Sequence, residues 1–225
     1  MIHGENKFST RYYRDFLTYA LEEGYVFYTL GDFIKTEMPQ KKCFVIRHDL
    51  DKDPVTIEKK IKVEMDLGIR STNFIRVAGP DYNFLSYPVF NVLKNMQERD
   101  FEIGLHTGFL EFAKINSLDP IDVLKKEFQI LNSFFKVRGI ATHRDINYTY
   151  NSLPYLVDNW NKIKLFGPEY QAYDDRIFKS CIYINEGLSP HLGWRSKSPE
   201  EIIKTGQSVY LLTHNHWWFD VHPFE

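Results

Sequence analysis

Cysteine is scarce in this chain: only Cys43 and Cys181 occur among 225 residues, each inside an apolar, strand-like run. Two such residues offer no disulfide framework, and Met1–Thr10 is polar, without the apolar core of a secretory signal. The expectation is a reduced, cytoplasmic protein. No apolar run approaches the roughly 20 residues that a bilayer crossing needs, so no membrane span is expected. No Pro/Gly/Ser-rich linker, low-complexity tract or internal repeat divides the sequence. Residues 1–225 are therefore read as a single domain, long enough for one sizeable core. An excess of either charge is also missing: 28 basic residues face 30 acidic ones, for a net charge of -2. That leaves no electrostatic footprint for nucleic acid or an anionic membrane surface.

Aromatic residues, at 16%, are abundant, and many stand beside Asn, Asp and Pro in loop-like stretches. Exposed rings stack on sugar faces, although a bulky core is the commoner reason for such a count. The most informative stretch is Ile46-Arg47-His48-Asp49-Leu50-Asp51, where an apolar run opens onto two carboxylates. In an extended segment residues two apart face the same side, so Asp49 and Asp51 converge on one point.

Periodicity predicts helices over Arg11 to Glu23, Val55 to Leu67, Tyr87 to Arg99 and Asp119 to Phe134, the last with an Asp119 cap and Pro120 at its first position. Apolar and β-branched runs predict strands at Val26 to Leu30, Phe44 to Arg47, Thr72 to Val77, Phe101 to His106 and Val137 to His143. Further strands are expected at Ile163 to Phe166, Ile177 to Ile184 and Ser208 to Thr213. Strands alternating with helices imply an α/β fold on a mainly parallel sheet, open or closed into a barrel. In such folds the active site lies at one edge of the strands. Asp49 and Asp51, His106, His143 with Arg144, and His214 all fall at those ends, which is the main argument for an enzyme.

Taken singly, each has a blander reading: helix caps for the two Asp, a hydrogen-bonded strand-end histidine for His106, a surface ion-pair cluster for His143-Arg144-Asp145. Together they suit a divalent metal, Zn²⁺ first, bound by a carboxylate and two neutral imidazoles: Asp51, His106 and His143. A bound metal brings water toward neutral acidity. Asp49, kept ionised by Arg144, is then the proton acceptor, and His214 the proton donor to a leaving group. His191, His216 and His222 have no strand-end argument and are read as supporting or surface residues.

At these residues the sequence resembles the polysaccharide deacetylase superfamily, the NodB-homology proteins, and looks most like their WbmS-like branch, associated with bacterial surface-polysaccharide biosynthesis. The resemblance runs from about Phe44 to Trp218. It rests on Arg47-His48-Asp49-Leu50-Asp51, Glu102-Ile103-Gly104-Leu105-His106-Thr107, Gly139-Ile140-Ala141-Thr142-His143-Arg144, and Leu212-Thr213-His214 followed by Trp217-Trp218. It implies a distorted (β/α) barrel of about seven mainly parallel strands and a metal-dependent deacetylase of N-acylated amino sugars. By that likeness Asp49 is the base, Asp51 and His106 are metal ligands, Arg144 orients the base, and His214 is the general acid. Trp194 and Trp217 are the candidate substrate-binding aromatics for the carbohydrate. Two features depart from the pattern: the first motif lacks the commoner adjacent Asp-Asp pair, which leaves the roles of Asp49 and Asp51 exchangeable, and the superfamily's second metal histidine, four residues after the first, is Leu110 here. Either His143 supplies the missing imidazole, or the scaffold is a degenerate, non-catalytic carbohydrate-binding protein with its aromatic loops doing the work. A glycosidase is disfavoured, because Asp49 and Asp51 stand too close in sequence to flank a bond from both faces.

Overall fold

The computed structural model describes residues 8–37, 39, 41–143, 150–186 and 193–220. In chain order its elements are α1 (Thr10–Glu22), β1 (Val26–Tyr28), α2 (Leu30–Lys35), β2 (Cys43–Leu50), α3 (Glu58–Asp66), β3 (Thr72–Arg76) and α4 (Tyr87–Gln97). They continue with β4 (Glu102–Thr107), α5 (Phe109–Ile115), α6 (Pro120–Asn132), β5 (Val137–Thr142), α7 (Ser152–Asp158) and α8 (Trp160–Ile163). The last are β6 (Tyr170–Gln171), α9 (Asp175–Ser180), β7 (Ile182–Asn185), α10 (Pro199–Ile203) and β8 (Val209–His214). Seven parallel strands, ordered β6-β5-β4-β3-β2-β8-β7, curl into a half-barrel, and β1 joins the start of β2. This is the distorted (β/α) barrel that the sequence leads one to expect. Among the described residues no helix is long and apolar enough to cross a membrane.

β2 is the hub. It pairs with β8 along Phe44 to Asp49, with β1 at its start and with β3 at its end. Every one of its residues is buried, as a parallel strand covered on both faces must be. Strand alternation then sorts its side chains. Phe44 and Ile46 face outward into a cluster with Phe16, Leu17 and Ile203 of α1 and α10. Cys43 and Val45 face the barrel interior with Phe74, Tyr170 and Tyr210. At the N-terminal ends of the strands α2 closes the barrel: its Leu30 and Gly31 amides donate to Thr72 Oγ1 (2.7 Å) and Glu102 Oε1 (3.2 Å). The opposite edge is left for the site.

Two expected strands are helical. Ile163–Phe166 lies in α8 and the 3-10 turn Lys164–Phe166 that follows it. Trp160, Ile163 and Phe166 recur every three residues and pack together on the core, whereas Leu165 is 82% exposed. A short apolar run does not declare its period, and here the helical one won. In Ile177–Ile184 the first half is α9, because Asp174 caps it by accepting from the Arg176 amide at 3.0 Å; β7 begins only at Ile182. The Val55–Leu67 helix opens with a 3-10 turn, and β6, two residues long, carries no pattern to read.

Gly104 and Gly139 show how tightly the interior is filled: a Cβ on the first would overlap the Phe74 ring, and one on the second the Tyr170 ring. Gly104→Ala is expected to lower unfolding stability by about 1–3 kcal/mol through overpacking. An exposed control, Lys41→Ala, should stay within about 0.5 kcal/mol of the parent; denaturant midpoints measure both.

Candidate metal centre

Parallel register brings the strand ends together. Asp49 lies opposite His214 across β2 and β8, and His106 opposite Ala141 across β4 and β5. The His143 amide donates to the Thr107 carbonyl at 2.8 Å, extending that ladder one residue past β5. Asp51 stands one residue beyond β2. One ligand atom each from Asp51, His106 and His143 lies within 4.8 Å of the other two. This is a possible metal-binding triad, with both histidines and the carboxylate at the places expected of them.

Proton placement makes the triad sharper. His106 Nδ1 is 3.2 Å from the Ala141 carbonyl, which can only accept, so Nδ1 carries a proton, and in the neutral ring Nε2 presents a lone pair. Such a carbonyl anchor is how ligating histidines are commonly oriented. Nε2 points toward Asp51 Oδ1 at 3.0 Å and Asp49 Oδ2 at 3.5 Å. Asp51 Oδ1 is buried, and its contact with His106 lacks hydrogen-bond geometry, so this oxygen has no hydrogen-bond partner. His143 Nε2 lies 3.6 Å from the same oxygen, its ring edge-on to His106 at 82°. Acceptor atoms crowded around one point fit a divalent cation, and a nitrogen-and-carboxylate set suits Zn²⁺ chemistry; the ion's identity is not fixed by it. Burial pushes Asp51 up, but His106, His214 and His143 more than offset it and hold the carboxyl well below its ordinary value.

Asp49 is held by Arg47, two residues back on the same inward face. Arg47 Nε donates to Oδ1 and an Nη to Oδ2, both at 2.7 Å, in a bidentate pair. The guanidinium is 1% exposed and lies between the Phe74 and Tyr173 rings, 5.1 Å from each centroid. Burial would raise Asp49; the guanidinium, with His106 and His214, outweighs it and keeps the carboxyl ionised. The expected partner, Arg144, lies outside the described residues. Arg47 went unnoticed because it sits inside the strand, yet the alternation that pairs Asp49 with Asp51 also places Arg47 with them.

His214 ends β8 and leans on Glu186. Its Nδ1 is 2.8 Å from Glu186 Oε2, its amide donates to both carboxylate oxygens at 2.9 Å, and its Nε2 is 3.7 Å from Asp51 Oδ2. Trp218 Nε1 also donates to Glu186. Burial pulls the His214 imidazole down, but the Glu186 carboxylate, with Asp51 and Asp49, carries it up to about 9. Glu186 was missed by sequence reasoning; it directly follows β7, so the strand-end rule that singled out the histidines covers it too.

Of the remaining candidates, one is corrected. Trp194 does not face a sugar: it is 9% exposed, its ring lies 5.1 to 6.5 Å from those of Phe8, Tyr12, Phe16 and Trp218, and its indole donates to Tyr12 Oη. Trp217 is half-buried against the His216 ring at 4.4 Å. His216 is depressed to about 4 by burial and by the neighbouring His214 charge. Leu110 is buried in the apolar core of α5 and α6. His48 points to the outer face, toward Glu64. His191 and His222 lie outside the described residues.

Arg47→Met strands a buried carboxylate and is expected to cost about 3–5 kcal/mol of stability, partly recovered in Arg47→Met/Asp49→Asn; chemical denaturation measures both. A raised histidine stabilises the fold fully below its unfolded value of about 6.5 and loses that contribution as pH rises through its folded one. The wild-type advantage in melting temperature over Glu186→Gln, without metal, should therefore be largest below pH ~6.5 and fade as pH passes about 9. An advantage unchanged across that window would contradict the His214 assignment.

No family model matches the chain, and no curated protein matches it.

Proposed function

We propose that this protein is a metal-dependent hydrolase that removes an acyl group, acetyl first, from an N-acylated amino sugar. The observation that carries the reading is the grouping of the Asp51, His106 and His143 donors within 4.8 Å beside an ionised Asp49 and a protonated His214. A divalent cation held by that triad, Zn²⁺ by its donor set, supplies Lewis acidity toward water and the acyl carbonyl. Asp49 is the base: ionised by Arg47 and beside the triad, it accepts the proton of the attacking water. His214 is the acid. Glu186 holds its Nδ1 and leaves Nε2 directed at the triad, from which it protonates the departing amine. With a folded value of about 9, His214 carries that proton at neutral pH.

The sugar is supported by the likeness of the four quoted motifs and by half-buried Trp217 near the strand ends, not by Trp194. The competing idea of a binding-only scaffold rested on Leu110. An imidazole at His143, 3.6 Å from Asp51, weighs against it.

Titration with Zn²⁺ is expected to find one tight site, weakened by more than about 100-fold in each of Asp51→Ala, His106→Ala and His143→Ala. Acetate release from a panel of N-acetylated amino sugars should vanish on chelation and return with the ion. Asp49→Asn should keep the metal and lose about 10²- to 10⁴-fold in turnover. Full turnover after complete chelation would refute the reading.

A further inference from the structure

On the face of β2 and β8 turned away from the site, Lys60, Thr213, His48, Glu64 and Tyr13 form a connected polar chain, none more than 1% exposed. Its hydrogen-bond directions are forced, because an ammonium only donates and an ionised carboxylate only accepts. Lys60 Nζ donates to Thr213 Oγ1 at 2.7 Å and lies 3.3 Å from His48 Nδ1. The Thr213 hydroxyl, 2.6 Å from the same nitrogen, passes its own proton toward it. Flanked by two donors, Nδ1 is the bare nitrogen. Nε2 therefore bears the proton and donates to Glu64 Oε1 at 2.7 Å, an oxygen that also takes the Tyr13 hydroxyl proton at 2.6 Å. Apart from this chain the ammonium meets ring faces, those of Tyr13 (5.6 Å) and Trp218 (5.2 Å).

We propose that Lys60 and Glu64 are an ion pair wired through Thr213 and a neutral His48, and that this wire positions Asp49 and His214. The step from wire to site is one residue on each strand: His48 and Thr213 are register partners, and so are the next pair, Asp49 and His214. A chain tied across β2 and β8 on the outer face fixes their relative slide, and a slip of one residue would turn the site side chains away. The charge states agree. Burial, then Lys60, depresses His48, which favours the neutral ring, and burial brings Lys60 to about 8 while Glu186 and Glu64 oppose it. The catalytic sense of the positioning rests on the hydrolase reading; the wiring does not.

The test compares Thr213→Val, which removes the hydroxyl, with Thr213→Ser, which keeps it. In long-range ¹H–¹⁵N spectra at pH 7, wild type and Thr213→Ser should show His48 protonated at Nε2 alone. Thr213→Val should shift the His48 Nδ1 resonance and the His214 signals. On any N-acyl amino sugar that the wild type turns over, Thr213→Val should lower kcat by about 10²-fold with KM within roughly twofold, and Thr213→Ser should retain kcat. Should Thr213→Val fail to fold, Thr213→Ala removes the same group. A wild-type His48 protonated at Nδ1 or at both nitrogens overturns the wiring. Unshifted His214 signals with unchanged kcat in the Val variant overturn the positioning. Inactivity of the wild type on every sugar counts against the hydrolase reading, and the two histidine spectra then decide the wire and its reach by themselves.

Discussion

The meeting of the Asp51 carboxylate and the His106 imidazole inside the protein sets the terms for everything at the strand ends. His106 donates through Nδ1 to the Ala141 carbonyl, and its Nε2 meets a buried Asp51 oxygen at 3.0 Å. In the neutral ring an acceptor faces an acceptor, a pair that repels unless a proton or another positive charge stands between them. Among the described residues the Arg47 guanidinium is bound in both prongs by Asp49, His214 is turned through Nδ1 to Glu186, and the buried Arg76, register partner of His106, donates to the Ala78 carbonyl. A cation shared by Asp51, His106 and His143 would take up the carboxylate charge and the imidazole lone pairs together.

The barrel interior is ordered in layers that explain why this edge is the reactive one. At the opposite end Arg138 bridges Asp32 and Glu102 at 2.8 Å and Glu169 at 3.1 Å, beneath the α2 amides, so that mouth is stoppered by ion pairs. Burial raises the Glu102 carboxyl despite Arg138, while Asp32 and Glu169 complete the cluster at the surface. Above it come Phe74, Tyr170 and Tyr210, then the Arg47 guanidinium between aromatic faces, and only then the carboxylates and imidazoles. Charge is thus admitted to the core in steps, each partnered before the next.

Much of this was legible in the residues, and the gaps have physical causes. Parallel architecture follows from strand and helix periods, and strand-end placement brought Asp51, His106 and His143 together from positions up to 92 residues apart. Arg47 and Glu186 were hidden because one lies within an apolar-looking strand and the other after a strand whose end was misjudged. Trp194 misled because an aromatic beside glycine reads as a loop, whereas tertiary contacts with Phe8 and Trp218 draw it inside. Ile163 to Phe166 was too short for its period to show; in the fold Ile163 and Phe166 reach the core, Phe166 against Phe128. Local pattern told which residues share a face; it did not tell which neighbour would claim a buried charge.

Anomalous diffraction at the zinc edge, on crystals grown with Zn²⁺, tests the central claim most directly. The account predicts a single strong peak within coordination distance of Asp51, His106 and His143, with Asp49 and His214 beside it and off the ion. A strand-end pocket without a peak, in which His106 Nε2 instead donates a proton to Asp51, would contradict it.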